Sequence, residues 1–370
     1  MSRHTSQTTA TQQKISNFLF LEDQIDVVPP RFVEFCRDSM QGLRGSQLFT
    51  VPTFAPDFGA TQFDGADGPI LEVGQTTDHR LRRLAAIRTT RPVAAIDTST
   101  IKLGELEEGT LCALRGAVVI LEDGDYRYLR YGPFVFSLGY DLRIASRNLE
   151  TLGFPPFSGE PSTDGLLKRI RTMLERWLQF NISTSMVHAF VLIDGSLTAG
   201  TPDNPCRELE RILNAARQAG SSTIAISKKT KLRIKNEGLT NLLQNESDPC
   251  LLDVDDEITQ QFPPYPVRFL GRVFVAKLAR LGFPFRIDID REIPSGDAVN
   301  EFSQLSGTDI VDQGYPETLR MAHVLSTFTA TDVLAMQAIA EIQFGVKMMP
   351  KMALRHSLFG PFGTSWESFH

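Results

Sequence analysis

The chain has 370 residues, 42% of them hydrophobic and 22% charged, which excludes whole-chain disorder and a fibrous class and allows two or three domain-sized units or one elaborated α/β domain. With 38 Lys and Arg against 44 Asp and Glu, the net charge is −6, so any nucleic-acid site must be a local basic surface on an acidic body. There is no run of ~18 apolar residues to span a membrane and no signal-peptide apolar segment, and Cys36, Cys112, Cys206 and Cys250 form no Cys-x-x-Cys pair; the expectation is a cytoplasmic protein with reduced, mostly buried thiols.

Residues 1–17 are rich in Ser, Thr and Gln and read as a flexible tail. Between 18 and 92 a short helix from Phe32 precedes a Gly, Pro, Asp and Thr-rich stretch, the pattern of an irregular lobe. Val93-Ala-Ala-Ile-Asp97 is an apolar run ending in a carboxylate, a buried strand. Ala117 to Leu121 and the alternating stretch Tyr126 to Leu138 flank Asp123-Gly124, a strong hairpin signal, so a three-strand antiparallel meander is expected. From Thr163, the spacing of Leu166, Ile170, Met173, Leu174 and Trp177 predicts an amphipathic helix of about four turns. His188 to Asp194 is a second apolar run ending in Asp; Asn204-Pro205 then reads as an N-cap and first-turn proline for a helix stopping at Gly220, and Thr223 to Ser227 as the next strand. Three antiparallel strands, helix, strand, helix, strand is the order of an RNase H-like mixed sheet flanked by helices. A further β-rich segment spans Val267 to Ile289, helices cover Pro316 to Phe328 and Asp332 to Phe344, and 345–370 forms an aromatic, Gly-containing strap.

Asp97 and Asp194 each read as the last residue of an apolar strand, the place where α/β sheets assemble ligands. A carboxylate leaving a buried run needs water, a capping hydrogen bond or a cation. Two on neighbouring strands can share a divalent metal, and without a His or Cys cluster the fitting ion is hard, Mg²⁺ or Mn²⁺. The competing reading is an Asx turn at each. Lys228, at the end of its strand, is placed to hold a phosphate, and Lys229, Lys231, Arg233 and Lys235 extend a basic run that is either a backbone contact for nucleic acid or a solvated face. Tyr315 and His323 frame a helix started at Pro316; they lie about 80° apart on the wheel, two turns along, and can reach one cleft. His79, His188 and His356 read as structural.

Ala95-Ile-Asp-Thr-Ser99, Leu192-Ile-Asp-Gly-Ser-Leu197, Ile226-Ser-Lys228 and Gly314-Tyr-Pro-Glu-Thr-Leu-Arg-Met-Ala-His323 together, in this order, resemble the motifs of the NurA nucleases. The resemblance covers roughly 93–344 and implies a nuclease domain with an RNase H-like core, manganese dependence, action on DNA ends or single strands, a homodimer, and a hexameric HerA-type ATPase as partner. It also implies a third carboxylate on the helix before the second aspartate, with Glu175 as the candidate, and a metal-binding or proton-transfer role for His323. Glu175 lies about 135° from the centre of the helix's apolar face and equally suits a solvated ion pair with Arg171. Thr98 departs from the family's glycine after the first aspartate and narrows backbone freedom there. The expected chemistry is phosphodiester hydrolysis of two-metal type at Asp97, Asp194 and Glu175, assisted by Lys228, Tyr315 and His323. The alternatives are a non-catalytic adaptor that binds DNA or the ATPase, and an RNase H-like enzyme acting on RNA.

Overall fold

The computed structural model describes residues 28–50, 71–73, 81–151, 161–201, 204–234, 237–259 and 267–350. The expectations for the tail 1–17, for much of the lobe, for His79, Lys235 and His356 and for the strap beyond Pro350 lie outside them. Among the described residues no helix is long and apolar enough to cross a membrane.

The centre is an eleven-stranded mixed sheet. Its strands are β1 (Gln47–Thr50), β2 (Leu81–Arg83), β3 (Val93–Leu106), β4 (Gly109–Glu122), β5 (Asp125–Gly139), β6 (Phe190–Asp194), β7 (Ser222–Ser227), β8 (Cys250–Asp253), β9 (Gly271–Lys277), β10 (Phe285–Asp290) and β11 (Lys347–Pro350). β3, β4 and β5 form the expected meander, and Asp123 and Gly124 at the β4–β5 turn have φ of 54° and 88°, the paired positive values of a type I′ hairpin. β6 lies parallel to β3, and β7 parallel to β6. The resulting spatial order β5-β4-β3-β6-β7, with helices between the parallel strands, is the RNase H-like arrangement. β10, β9, β8 and β2 extend the sheet beyond β7.

The helices cover both faces. α1 (Pro30–Gln41), α2 (Leu142–Thr151) and α3 (Thr163–Ser185) lie on one face, where Phe32, Leu149, Leu166, Ile170, Leu174 and Leu178 pack against Ala94, Ile96 and Val118. α5 (Ser295–Thr308) and α6 (Glu317–Ser326) cover the other, where Phe302, Leu305, Leu319 and Ala322 meet Val93, Ala95 and Val119. The odd and even residues of β3 therefore serve two separate cores, as the period of a strand requires. α4 (Cys206–Gln218) packs on α3, and α7 (Ala330–Phe344) is the last helix among the described residues, with a Thr329–Asp332 capping box at its start.

Several sequence expectations are corrected. β3 does not end at Asp97 but runs to Leu106, because Thr98, Ser99, Thr100 and Ile101 stay paired with β4. α3 extends over 23 residues, held at its start by Ser162 accepting from the Gly165 amide. Asn204 does not cap α4: Pro205 occupies the cap position, and the Asn204 side chain donates to Thr198 O and accepts from Arg176. The described parts of the 18–92 segment are not wholly irregular, since β1 pairs with β3 and β11, and β2 with β8. β11 itself falls within the expected strap. α2, α5 and β8 were not foreseen from the sequence. All four cysteines are free, three of them buried.

Candidate functional site

β3 has different neighbours along one edge. Val93 to Ile96 pair with β6, the rung Ile96↔Ile193 being the last, and Glu105 and Leu106 pair with β1. Between them no strand among the described residues pairs with that edge, and Asp97 and Asp194 stand side by side where β3 and β6 part. Past Asp194 the chain turns through Gly195, whose φ of 127° few side chains tolerate. Thr98, by contrast, remains in regular strand pairing opposite Gly116 with no positive φ, so no glycine is needed beside Asp97.

α6 brings the third group. Pro316 precedes its first turn, and Tyr315 lies just outside it in a two-residue bridge with Asp312. His323 Nδ1 is 2.9 Å from Asp97 Oδ2, and Ser326 Oγ donates to the same oxygen at 2.8 Å. One ligand atom from each of Asp97, Asp194 and His323 can be chosen so that all lie within 4.8 Å of one another. From β7, Lys228 Nζ donates to Asp194 Oδ2 at 2.8 Å and sits 5.3 Å from the centre of the Tyr315 ring.

The two aspartates feel opposite fields. Burial alone would raise Asp97, but the hydrogen bond and charge of His323, the Ser326 hydroxyl and the charge of Lys228 outweigh it and hold the carboxyl below its ordinary range. For Asp194, burial and the neighbouring Asp97 charge win over Lys228 and push it up. Burial, then the charges of Asp194 and Asp97, also raises the Tyr315 phenol well above its ordinary value. Its hydroxyl is buried close to Asp194 but makes no well-formed hydrogen bond with a described residue. An orphaned hydroxyl beside two carboxylates, an imidazole and an ammonium fits a site completed by a cation and an oxyanion.

Glu175 lies at the margin of this group rather than within it. It points toward the sheet: Thr98 Oγ1 is 3.4 Å from Oε2, and Gln179 Nε2 donates to Oε1 at 2.8 Å. Burial raises its pKa first, Arg176 and Arg171 oppose this, and Asp97 and Asp194 add to it. Gln179 in turn accepts from Arg176 Nη1 at 2.6 Å, while Arg176 Nη2 reaches Asn204 Oδ1 at 2.9 Å, so a polar relay ties Glu175 to the loop that follows Asp194. Sequence reasoning missed Ser326, Gln179 and Arg176. The signal for the first two was present, since Ser326 is three residues from His323 and Gln179 four from Glu175, spacings that share a helix face.

Lys229, Lys231 and Arg233 are exposed along the chain leaving β7, past Lys228. His188 lies exposed at the opposite end of β6, its ring against Gly220, and takes no part in the site.

No curated protein matches the sequence. Solved structures similar to the chain include the NurA nuclease from Sulfolobus solfataricus (14% identity over 70% of this chain and 87% of that one, TM-score 0.48), a NurA bound to dAMP and manganese (8%, 70% and 90%, 0.44) and the Argonaute of A. aeolicus (11%, 66% and 29%, 0.27). The sequence model of the NurA domain matches residues 91–326, a span that starts just before β3 and ends on the serine that bonds Asp97. With that domain over more than half its length, the chain belongs to the NurA family.

Proposed function

We propose that this protein is a metal-dependent deoxyribonuclease that hydrolyses phosphodiester bonds in single-stranded or end-exposed DNA. The observation that carries the reading is the meeting of Asp97, Asp194 and His323 ligand atoms within 4.8 Å at the parting of two parallel strands, with Lys228 beside them. Mn²⁺ or Mg²⁺ suits two carboxylates and an imidazole, and Glu175, at the margin of the group beside Thr98, is the candidate for a further carboxylate. A bound divalent ion supplies Lewis-acid charge and lowers the pKa of a coordinated water.

The chain's own residues then have separable parts. Lys228 binds a non-bridging phosphate oxygen, and the Tyr315 ring beneath it holds the ammonium in place. Asp97, held ionised, accepts from His323 Nδ1–H and so leaves Nε2 to take a proton or a ligand bond. Gln179 orients Glu175 along α3, and Glu175 accepts from Thr98 of β3. Lys229, Lys231 and Arg233 contact the strand's phosphates.

The test is cleavage of single-stranded and duplex DNA, and of RNA, with Mn²⁺, Mg²⁺ or EDTA. Metal-dependent DNA cleavage that is lost in Asp97→Ala and Asp194→Ala supports the reading, and loss in folded Lys228→Ala assigns the phosphate contact. DNA binding without cleavage under any divalent ion replaces it with the adaptor, and a preference for RNA replaces the substrate. We further propose, from family membership, that the chain works as a homodimer with a hexameric HerA-type ATPase, which would feed DNA to an acidic body. A monomer by light scattering, with no ATPase co-purifying, overturns this.

A further inference from the structure

Two large apolar side chains stand in solvent at the end of the sheet that carries the candidate site: Leu281 is 80% exposed and Phe283 63%. Both belong to the turn between β9 and β10, and that turn has little freedom to fold them away. The Phe283 amide donates to Gln313 O at 2.8 Å, a Cβ on Gly282 would come within 2.7 Å of the Gly314 nitrogen, and one on Gly314 within 2.5 Å of the Phe283 carbonyl oxygen. Leu281, Gln313 and Gly314 hold φ of 58°, 54° and 89° to allow this backbone-on-backbone contact. Two turns are thus locked together with Phe283 facing outward.

The neighbours of this aromatic are those of the site. Phe285, two residues on, packs its ring 5.5 Å from that of Tyr315, which carries the Lys228 ammonium on its face. In the β7–β10 ladder Arg286 pairs with Ser227, so Phe285 and Pro284 come abreast of Lys228 and Lys229 as the strands run out. An exposed ring on a fixed turn, at the same end of the sheet as an exposed basic run and two carboxylates, matches what a single nucleic-acid strand presents: a base face and a line of phosphates. Positive charge alone would suit duplex equally, but the ring suits an unpaired base.

We propose that Phe283 is a base-stacking residue that seats a single-stranded nucleic acid whose phosphates follow Lys228 and Lys229 toward Asp97 and Asp194. This rests on the nuclease reading above. Stacking tolerates any base, so the contact sets strand state rather than sequence.

The experiment measures binding of fluorescent single-stranded and duplex oligonucleotides in EDTA by wild type, Phe283→Ala and Phe283→Trp. Phe283→Ala should weaken single-strand binding about ten-fold, with a much smaller effect on duplex. Phe283→Trp should restore it, and its added indole fluorescence should be quenched on binding single strands. The substituted side chain is mostly exposed, so melting temperatures should stay close to that of wild type. Unchanged single-strand affinity in Phe283→Ala, while wild type still cuts DNA, overturns the stacking role and leaves the nuclease standing. The same unchanged affinity with an altered sedimentation coefficient makes Phe283 a protein contact instead. A wild type that neither binds nor cuts nucleic acid removes both readings.

Discussion

Asp97 and Asp194 stand one step beyond the last paired rung of β3 and β6, yet the fold favours the charge of the first and disfavours that of the second. A carboxyl whose folded pKa is lowered adds stability above its ordinary pKa and loses it as pH falls, whereas one whose folded pKa is raised costs stability as pH rises through that value. In EDTA at neutral pH, Asp97→Asn should therefore destabilise the protein by about 1–3 kcal/mol, as His323 and Ser326 lose an ionised acceptor. Asp194→Asn should be neutral or stabilising by up to about 1 kcal/mol, with Lys228 left partly hydrated. Both should abolish nuclease activity. Equal destabilisation by the two substitutions would show that neither field is as described.

Adding Mn²⁺ should raise the melting temperature of wild type, since a ligand at about 100 times its dissociation constant stabilises by roughly 2.7 kcal/mol. The gain should vanish in Asp194→Asn. Burial raises Asp194 and Glu175, so binding at low pH has to displace protons and should strengthen as pH rises from the acid side. Calorimetry in buffers of different ionisation enthalpy reads this directly: a heat that does not depend on the buffer means no proton is released.

Among the described residues Ser326 hydrogen-bonds to Asp97 and to no other acid, and its hydroxyl is the kind of contact that orients a metal-binding carboxylate without reaching the metal. Ser326→Ala should weaken Mn²⁺ binding about 10–100-fold while leaving the chain folded. Titration calorimetry that finds wild-type affinity would reduce the serine to a helix-end hydroxyl, the part its second contact to His323 O already plays.

Much of this was legible in the sequence because the informative signals were local. Apolar runs at 93–96 and 190–193, the Asp123-Gly124 turn and the 3.6-residue spacing in α3 each report on neighbours along the chain, and together they set the meander and the parallel strands. The end of β3 was misread because Thr98-Ser99-Thr100 looks like a loop, although β-branched and hydroxyl side chains also fill a strand when a long partner such as β4 is available. α5 was missed because SGDAVNEFSQLSGT carries only Ala298, Phe302, Ser303 and Leu305 to its core and is otherwise polar. Glu175 could not be resolved from its wheel position because the direction of its carboxylate depends on Thr98, a contact 77 residues away.

Arg115 links the sheet to α7: its guanidinium donates to both oxygens of Asp332, at 3.2 and 2.9 Å, and to Thr327 O at 3.2 Å. That hydrogen bond, together with those from Thr329, pulls the Asp332 carboxyl far below its ordinary range despite partial burial. The lowered folded pKa means that the contribution is complete above the unfolded value of about 3.9 and is lost as pH falls below it. Asp332→Ala should cost about 1–3 kcal/mol at pH 7, and the gap to wild type should begin to narrow below about pH 4 and shrink progressively as the pH falls further. Denaturant unfolding at the two pH values checks it; a constant gap would mean the loss is one of packing.

Gly116 occupies the point where β4 crosses beneath α3. It pairs with Thr98, and a Cβ there would lie 2.5 Å from Leu178 Cδ1, 3.4 Å from Leu174 Cδ2 and 3.6 Å from Thr98 Cγ2. Leu178 is buried, so the added methyl can be accommodated only by moving the leucine or the helix. Gly116→Ala should destabilise the fold by about 1–3 kcal/mol through overpacking. Leu178 sits three residues after Glu175 on α3, so lifting the helix also draws that carboxylate away from Thr98, and cleavage should fall by more than the loss of stability explains. Shortening the obstructing side chain separates the two effects. Leu178→Val in the Gly116→Ala background should recover stability and activity together, giving a favourable coupling in the double-mutant cycle. Additive losses would mean that the glycine is required by the neighbouring β4 bulge between Leu114 and Gly116 and not by the approach of α3.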